Sequence, residues 1–259
     1  MHEIGPHSLS DLVSGGIFSL LFVTARVGVA FAFLPGFGDS YVNLTLRTLL
    51  SVGISFTLLP ALWPVLPAMP HDISLLLALF VHEVIIGLFI GVVGRLMIMA
   101  LDLAGILIAT NTGLSAATSF NPALASAGPI VTNFLTLSAI LTLFVTNLHH
   151  MLIGSLVSSY NVFRPGDALQ AQDMSMTVLN IVAHAMQLGF QLAAPFIVMG
   201  LVFNVGLGLL ARLVPQMQVF LIGLPVQVLV GMTILSLIIA VMIQMWLSDF
   251  QQAYLGIFQ

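Results

Sequence analysis

The chain has 259 residues, of which 59% are hydrophobic and 5% are charged, and its mean hydropathy is +1.16. A soluble domain carries about 25% charged residues, so this composition excludes a water-soluble protein and indicates an integral membrane protein. The formal net charge of −4, with no lysine and no cysteine, excludes a nucleic-acid binder, a disulfide scaffold and thiol catalysis.

Six apolar segments follow one another along the sequence. They cover about residues 13–34, 45–66, 73–110, 130–154, 177–211 and 218–247. The runs are continuous and do not alternate with a period of two, so they predict helices and not the strands of a membrane barrel. We therefore predict an all-α membrane protein in which residues 1–259 form a single integral-membrane domain without a separate soluble domain.

The third and fifth segments are too long for a simple crossing. A helix of about 35 residues is about 52 Å long, whereas the hydrocarbon core of a bilayer is about 30 Å thick. Either these helices kink at their glycines, or the excess apolar surface is buried against other subunits. We expect a bundle of long, partly kinked helical hairpins that packs into a hetero-oligomeric helical assembly. The only clearly polar linker lies at residues 160–176.

Charged side chains lie inside these apolar segments. Arg26 is about midway along the first segment, too deep for its guanidinium to reach the interface easily. We expect it to bond to carbonyl groups or to a partner subunit. In the third segment, Glu83 shares a helix face with Gly87 and Gly91, a pattern typical of close helix contact.

Arg95 and Asp102 also share a helix face, because they are seven residues apart. Two interpretations of these charges stay open. In the first, the charges form a structural ion pair beside a close helix contact. In the second, Glu83 takes part in a proton or ion relay. We favour the structural interpretation, because no second carboxylate lies at helical spacing from Glu83.

Enzyme and metal signatures are incomplete. An HExxH pattern begins at His82, but Ile86 stands at the second histidine position. Residues 113–117 lack the closing glycine of a GxSxG motif. The neighbouring His149 and His150 point about 100° apart on a helix, a poor geometry for one metal. We therefore predict no enzymatic activity, no cofactor and no metal site.

Two connections between the segments are distinctive. The first, TNTGLSAATSFNPALASAGP, follows the third segment and contains small and polar residues but no charge. The second is a tight polar corner, LLARLVPQMQVFLIGLP, between the last two segments. There Arg212 complements the dipole at a helix C-terminus, and Pro215 cannot comfortably continue that helix.

The corner closely resembles the signature of the FliR family, the R subunit of the flagellar type III export gate. The Ala25-Arg26 pair, followed by PGFG at residues 35–38 and by Arg47, resembles that family's first hairpin. The run GLSAATSFNPALASAGPIV is similar to its central loop. The resemblance covers essentially the whole chain, with Gln218 standing where Asn is expected and Asn121 where Asp is expected.

The resemblance implies a channel-forming component of the flagellar type III protein export gate, multi-pass in the bacterial inner membrane and located in the flagellum basal body. The implied partners are the P and Q subunits of the gate, the switch protein FlhB, FlhA, the basal-body ring and unfolded exported flagellar proteins. Two alternatives stay open: the R-type subunit of a virulence type III secretion gate, and a secondary transporter that uses Glu83 and Asp102 for coupling.

In that family the central loop plugs the closed channel, and here it corresponds to residues 113–129. Small residues allow close packing, Phe120 supplies an apolar stopper, and the missing charge gives ions nothing to coordinate. The alternative is an ordinary interhelical turn. The predicted plug residues are Gly113, Leu114, Ser115, Phe120, Asn121, Pro122 and Pro129.

A second set of residues is expected to make helix or subunit contacts. These are Arg26, Pro35, Arg47, Glu83, Gly87, Gly91, Arg95, Asp102, Arg212, Pro215, Gln216, Phe220, Gly223 and Pro225.

Overall fold

The computed structural model describes residues 9–115, 130–213 and 219–258. Within these ranges there are seven α-helices and no strand, which confirms the predicted all-α class. The helices are α1 (Leu9–Phe33), α2 (Leu44–Leu62), α3 (Ile73–Asn111), α4 (Ile130–Val145), α5 (Leu148–Val162), α6 (Ala171–Leu213) and α7 (Val219–Phe258). A short 3-10 helix, Trp63–Val65, follows α2.

Polar side chains fix where two of these helices begin. The side chain of Asn43 accepts a hydrogen bond from the backbone N–H of Thr45 at the start of α2. Asp72 precedes α3 and accepts from both the backbone N–H and the hydroxyl of Ser74, at 3.0 and 2.8 Å. These contacts satisfy N–H groups that have no intrahelical partner.

Five helices in the described ranges are long and apolar enough to cross a membrane. A sixth candidate is the pair α4 and α5, which is bent by 77°. The predicted apolar segment at 130–154 therefore corresponds to two helices joined at a bend. The bend falls at Asn147, whose φ of 59° places it in the left-handed region, and asparagine adopts this conformation more readily than most residues.

Three helices are much longer than a bilayer requires. They are α3, α6 and α7, with 39, 43 and 40 residues, or about 58, 65 and 60 Å at the α-helical rise. Helix α6 begins inside the predicted linker at 160–176, which is therefore shorter than expected. Helix α7 continues past residue 247 to Phe258. Over this stretch it buries an aromatic row that repeats every four residues: Trp246, Phe250, Tyr254 and Phe258.

The chain divides into two compact units. Among the described residues, the first unit contains 9–95, 149–178 and 253–258, and the second contains 96–115, 130–148, 179–213 and 219–252. That residues 1–259 form a single integral-membrane domain without a separate soluble domain stays a prediction.

Each unit has its own buried core. In the first unit, Phe18 and Phe22 of α1 pack edge to face against Phe80 of α3, with centroid distances of 6.0 and 5.6 Å. In the second unit, the buried Trp246 donates from its indole N–H to the carbonyl of Met97 at 2.8 Å. Because lipid tails are as apolar as these side chains, such contacts stabilise the units through close packing and hydrogen bonding.

Candidate functional site

A buried ion pair joins α1 to α3 in the first unit. Arg26 and Glu83 are both fully buried. The Arg26 Nε and Nη2 groups donate to the two carboxylate oxygens of Glu83 at 2.7 and 2.8 Å. This two-pronged geometry matches a planar guanidinium to a planar carboxylate and makes a strong, directional contact.

Helix α5 and the residue after it complete this contact. Arg26 Nη1 donates to the Ser159 hydroxyl at 3.0 Å, and Nη2 also donates to the Phe163 carbonyl at 3.1 Å. The Tyr160 hydroxyl donates to Glu83 at 3.2 Å. The guanidinium carbon of Arg26 lies 3.7 Å from the centroid of the Tyr160 ring, which adds a cation–π contact. We call these residues, Arg26, Glu83, Ser159, Tyr160 and Phe163, the charged junction.

The charged junction shows the partners of Arg26 within this chain. Arg26 bonds to the carbonyl of Phe163, one of the two kinds of partner expected for it, and also to Glu83 and Ser159. His82 lies beside the junction. Its Nδ1 atom is buried, has no hydrogen-bond partner among the described residues, and lies 3.7 Å from a Glu83 oxygen. No group of three possible metal ligands occurs in the described part of the chain.

Two glycines let α1 approach α3 closely at the junction. A methyl group added at Gly87 would overlap the backbone carbonyl oxygen of Arg26. One added at Gly91 would lie 2.9 Å from the Ala30 carbonyl oxygen, which is too close for a carbon atom. The glycines therefore set the helix separation that lets the short Glu83 side chain reach Arg26 with both oxygens.

The loop after α1 is held by a second set of charges. Asp39 accepts a hydrogen bond from Arg95 at 3.0 Å and others from the Gly36 N–H and the Tyr41 hydroxyl, both at 2.8 Å. Arg47 donates to the carbonyl groups of Phe37 and Asp39 in the same loop. Partial burial and the Asp39 carboxylate raise the pKa of the Tyr41 phenol, so it stays a hydrogen-bond donor at neutral pH.

Arg95 and Asp102 share a helix face, but each bonds to a partner elsewhere in the chain. Arg95 pairs with Asp39 of the loop after α1, and the Asp102 carboxylate accepts a hydrogen bond from Thr136 of α4 at 3.2 Å. The predicted contact residue Pro35 is buried in that first loop, beside Gly94. Spacing along one helix identified Arg95 and Asp102 but not their partners, because the partners come from a loop and from another helix.

The predicted plug begins at a fixed turn in the second unit. Helix α3 ends at Asn111, and Gly113 has a φ of +76°, which favours glycine over other residues. The side chain of Gln227 in α7 donates to the Asn111 carbonyl at 2.8 Å and caps the helix end. Leu114 is half-buried and Ser115 is exposed.

The other predicted plug residues, Phe120, Asn121, Pro122 and Pro129, lie outside the described residues, as do Pro215 and Gln216 of the corner. Phe220 belongs to α7, but only its backbone is described. Arg212 is exposed in the last turn of α6.

The remaining corner residues lie in α7. Gly223 packs against Leu207 of α6, and Pro225 is exposed within the helix. Whether any of the predicted contact residues touches another subunit stays a prediction.

Several residues of these sites were not predicted from the sequence, among them Asp39, Ser159, Tyr160 and Gln227. Asp39 follows PGFG directly and is acidic in a very apolar chain, so its sequence did carry a signal. Ser159, Tyr160 and Gln227 are neutral side chains without a motif. Only the packing of α5 and α7 shows their roles.

Comparison with known proteins identifies the family. Residues 17–253 match the family described as Bacterial export proteins, family 1. The flagellar biosynthetic protein FliR of Caulobacter vibrioides is 33% identical over 236 residues, which cover 91% of this chain and 94% of the relative. The chain belongs to the FliR family.

More distant relatives agree with this assignment. FliR of Aquifex aeolicus is 29% identical over 244 residues, covering 94% of this chain and 93% of the relative. The Yop proteins translocation protein T of Yersinia pestis is 26% identical over 227 residues, covering 85% of each. As a FliR-family chain with several apolar helices, the protein is a multi-pass protein of the bacterial inner membrane.

Proposed function

We propose that this chain is a non-enzymatic, channel-forming subunit of the flagellar type III protein export gate. It acts with the P and Q subunits, FlhB and FlhA in the basal body and conducts unfolded flagellar proteins across the inner membrane. Residues 113–129 close the channel between transport events. Membership of the FliR family supports the role in flagellar export, and the geometry around Gly113 supports the plug.

The observation that carries the plug proposal is the fixed turn at the end of α3. A plug needs a firm attachment, since a loop that swings freely cannot close a channel reliably. Asn111 is capped by the buried Gln227, and Gly113 turns the chain against Leu224 and Gln227 of α7. Residues 111–113 therefore have defined contacts with α7, which offer the firm attachment that a plug needs.

The chemistry of residues 113–129 suits a reversible seal. This range contains no charged side chain and is rich in alanine, serine, threonine and glycine. Neutral small side chains pack closely and give a passing ion no carboxylate to bind. Because the segment has no charged side chain, no ion pair has to break when the channel opens, so displacement by a polypeptide has a low energetic cost.

Deletion of residues 116–124 tests the plug. The deletion leaves the turn at Gly113 intact, and we expect the gate to leak ions and to lower the membrane potential of intact cells. A matched control replaces the same residues with glycine and serine at unchanged length. Co-purification of the P and Q subunits shows that each variant has assembled. An assembled deletion variant with a normal membrane potential rules out the plug.

A virulence secretion gate is the second candidate, because of the 26% identity to the Yop proteins translocation protein T. The higher identity to the FliR relatives favours the flagellar assignment. Removing the gene separates the two candidates. We expect loss of flagellar filaments with unchanged secretion of virulence proteins; intact filaments contradict the flagellar assignment.

The charged junction argues against the secondary-transporter alternative. A coupling carboxylate must exchange protons or ions, but Glu83 accepts hydrogen bonds at both oxygens and is fully buried. Membrane vesicles containing the purified chain alone should show no proton-coupled solute uptake. Uptake that disappears in Glu83→Gln supports a transporter instead.

A further inference from the structure

Helix α6 carries an exposed row of polar side chains in the second unit. Asn180, His184, Gln187 and Gln191 are all exposed. Their spacing of four, three and four residues places them within about 60° of one another around an α-helix. The row is about 17 Å long along the helix. Charged side chains are absent from α6 between Asp173 and Arg212, so the polarity of this row comes from amides and one imidazole.

Helix α7 carries a corresponding row beside it. Gln244, Ser248 and Gln252 are exposed and follow one another at intervals of four residues. A hydrogen bond of 3.1 Å between His184 Nε2 and Asp249 Oδ2 links the two helices, with half of the His184 side chain exposed. We call the two rows together with Asp249 the polar face.

Most hydrogen-bonding groups of the polar face are unused. Asn180, Gln187, Gln191, Gln244 and Gln252 have no side-chain hydrogen bond within the described ranges of the chain. Each amide has two N–H donors and an acceptor oxygen. The Ser248 hydroxyl donates only to the carbonyl of Met245 in its own helix. The face therefore has a large capacity for further hydrogen bonds.

Lipid tails do not suit the polar face, because hydrocarbon satisfies no amide. The same sides of both helices become apolar further toward their connection. Val198 and Val205 continue the α6 row and are 62% and 56% exposed. Leu237 and Val241 continue the α7 row and are 74% and 55% exposed. The lipid-compatible part of this surface is thus distinct from the polar face.

Bulk water does not suit the polar face either. An apolar row, Leu179, Met186 and Phe190, runs directly beside the α6 polar row with exposures of 62%, 52% and 48%. Met186 also lines an apolar groove of about 230 Å³ between α3 and α6. A water-exposed surface carries many charges, whereas protein interfaces are depleted in charge and enriched in aromatic residues and methionine.

We propose that the polar face is the binding surface for a membrane helix of another subunit of the export gate. That helix carries uncharged amide or hydroxyl side chains at intervals of three and four residues, which pair with the free amides. Its apolar side chains cover Leu179, Met186 and Phe190. A hydrogen-bond donor on it faces Asp249. This proposal rests on the proposed function, because it assumes a multi-subunit gate.

The absence of cysteine from the chain permits a direct test. Single-cysteine variants His184→Cys, Gln187→Cys and Gln191→Cys are made in the full chain and co-expressed with the P and Q subunits. A benzophenone attached to the thiol is then activated by light in isolated membranes. We expect covalent adducts with P or Q at all three positions. Val198→Cys and Val205→Cys are the controls and should form at least several-fold fewer such adducts.

A second measurement tests the hydrogen bonds themselves. Gln187→Leu and Gln191→Leu should each reduce the amount of co-purified partner by about two- to ten-fold, the effect of losing one hydrogen bond. Val198→Leu should leave it unchanged. Gln187→Asn keeps the amide and should bind more partner than Gln187→Leu does. A purely structural role of Gln187 does not predict this recovery.

Three results overturn the proposal. Rapid labelling of Gln187→Cys by a membrane-impermeant maleimide in the assembled gate shows that the face lines water. Adducts with lipid alone show that it faces the bilayer. Adducts only between copies of this chain assign the face to self-association. Each result leaves the plug proposal untouched, because the plug is tested by membrane potential in the deletion of residues 116–124.

Discussion

Each unit contains a contact between a basic side chain and a carboxylate, and the two contacts differ in burial and in the number of polar partners. In the first unit, Arg26 and Glu83 are fully buried and have three further polar partners from the same chain. In the second unit, the side chains of His184 and Asp249 are 51% and 26% exposed, and exposed amides lie on the same two helices. The first contact is complete within the chain, whereas the second leaves capacity for another molecule.

The difference follows from the cost of moving charge out of water. A buried ion pair persists only when its geometry is good and its remaining hydrogen bonds are made, since desolvation otherwise exceeds the attraction between the charges. Arg26 meets this condition through Ser159 and Phe163. A half-exposed neutral amide is under no such constraint. Polar groups of the first unit therefore stabilise the fold, and those of the polar face are free to stabilise an assembly.

Breaking the charged junction should have the largest effect. Glu83→Leu leaves Arg26 buried without its carboxylate, and removing one partner of a buried pair costs about 3–5 kcal/mol. The full chain purified in mild detergent should unfold at a clearly lower temperature than the parent, as measured by loss of helical circular dichroism. The double variant Arg26→Met with Glu83→Leu removes both charges and should recover much of the lost stability. A double variant as unstable as the single one contradicts this account of the junction.

Separating α1 from α3 should have the next largest effect. Gly87→Ala places a methyl group against the Arg26 carbonyl oxygen, and overpacking of this kind costs about 1–3 kcal/mol. The control is Gly53→Ala in α2, where no neighbouring atom lies within 4 Å of the added methyl group. That change should be neutral or stabilising by about 0.5–1 kcal/mol. Thermal unfolding of the two variants side by side gives the measurement, and equal destabilisation would contradict the close approach.

Two glutamines of α7 differ in their side-chain hydrogen bonds, and substituting each of them tests that difference. Gln227→Leu removes the cap on Asn111 and should cost about 1–2 kcal/mol, because a carbonyl at a helix end loses its partner. Gln244→Leu removes an amide that has no partner in the described part of the chain. The isolated chain should tolerate it without loss of stability. Denaturation of both variants in detergent checks this, and equal losses argue against separate roles for the two amides.

The half-exposed pair should contribute little to the isolated chain. His184→Asn removes the contact with Asp249, and exposed pairs of this kind contribute about 0–1 kcal/mol. The unfolding temperature of the lone chain should hardly change, whereas co-purification of the gate subunits should fall. A loss of stability as large as that of Glu83→Leu would mean that both pairs hold the fold.

The smallest effect is expected at Asp72, which is fully exposed at the start of α3. Hydrogen bonds from Ser74 lower the pKa of Asp72 below its usual value. The ionised carboxylate therefore stabilises the folded state. This contribution is fully present above the pKa of the unfolded chain and is lost as pH falls through the lower folded-state value. Asp72→Ala should remove that acid-side dependence from unfolding curves. Ser74→Ala keeps the backbone donor and should remove only part of it; curves identical to the parent contradict the capping role.

Much of the fold was predictable because a membrane permits few kinds of backbone structure. In hydrocarbon, backbone groups must be satisfied within a helix or a closed barrel, so long continuous apolar runs predict helices at nearly the correct places. The differences are local. Asn147 divides a run that is apolar on both sides, and α7 extends past residue 247, where the predicted apolar segment ends, to the buried Phe258.

Less of the candidate site was predictable, because a side chain's partner is a property of several helices. The sequence singled out Arg26 and Glu83 as costly charges in an apolar environment, but they are 57 positions apart and no periodicity connects them. It grouped Arg95 with Asp102, whereas Arg95 pairs with Asp39. Tyr160 and Gln227 carried no signal, since neutral side chains in apolar helices are common.

The sequence by itself determined that the protein lies in a membrane, that it is helical and which family it belongs to. These properties depend on composition, on the length of apolar runs and on motifs that are local in the chain. Only the tertiary structure decided which charges are paired internally and which amides are left exposed. The physical reason is that hydrogen bonds, including those that join the ion pairs, form only at donor–acceptor distances of about 3 Å. Such distances exist only after helices remote in sequence have packed against one another.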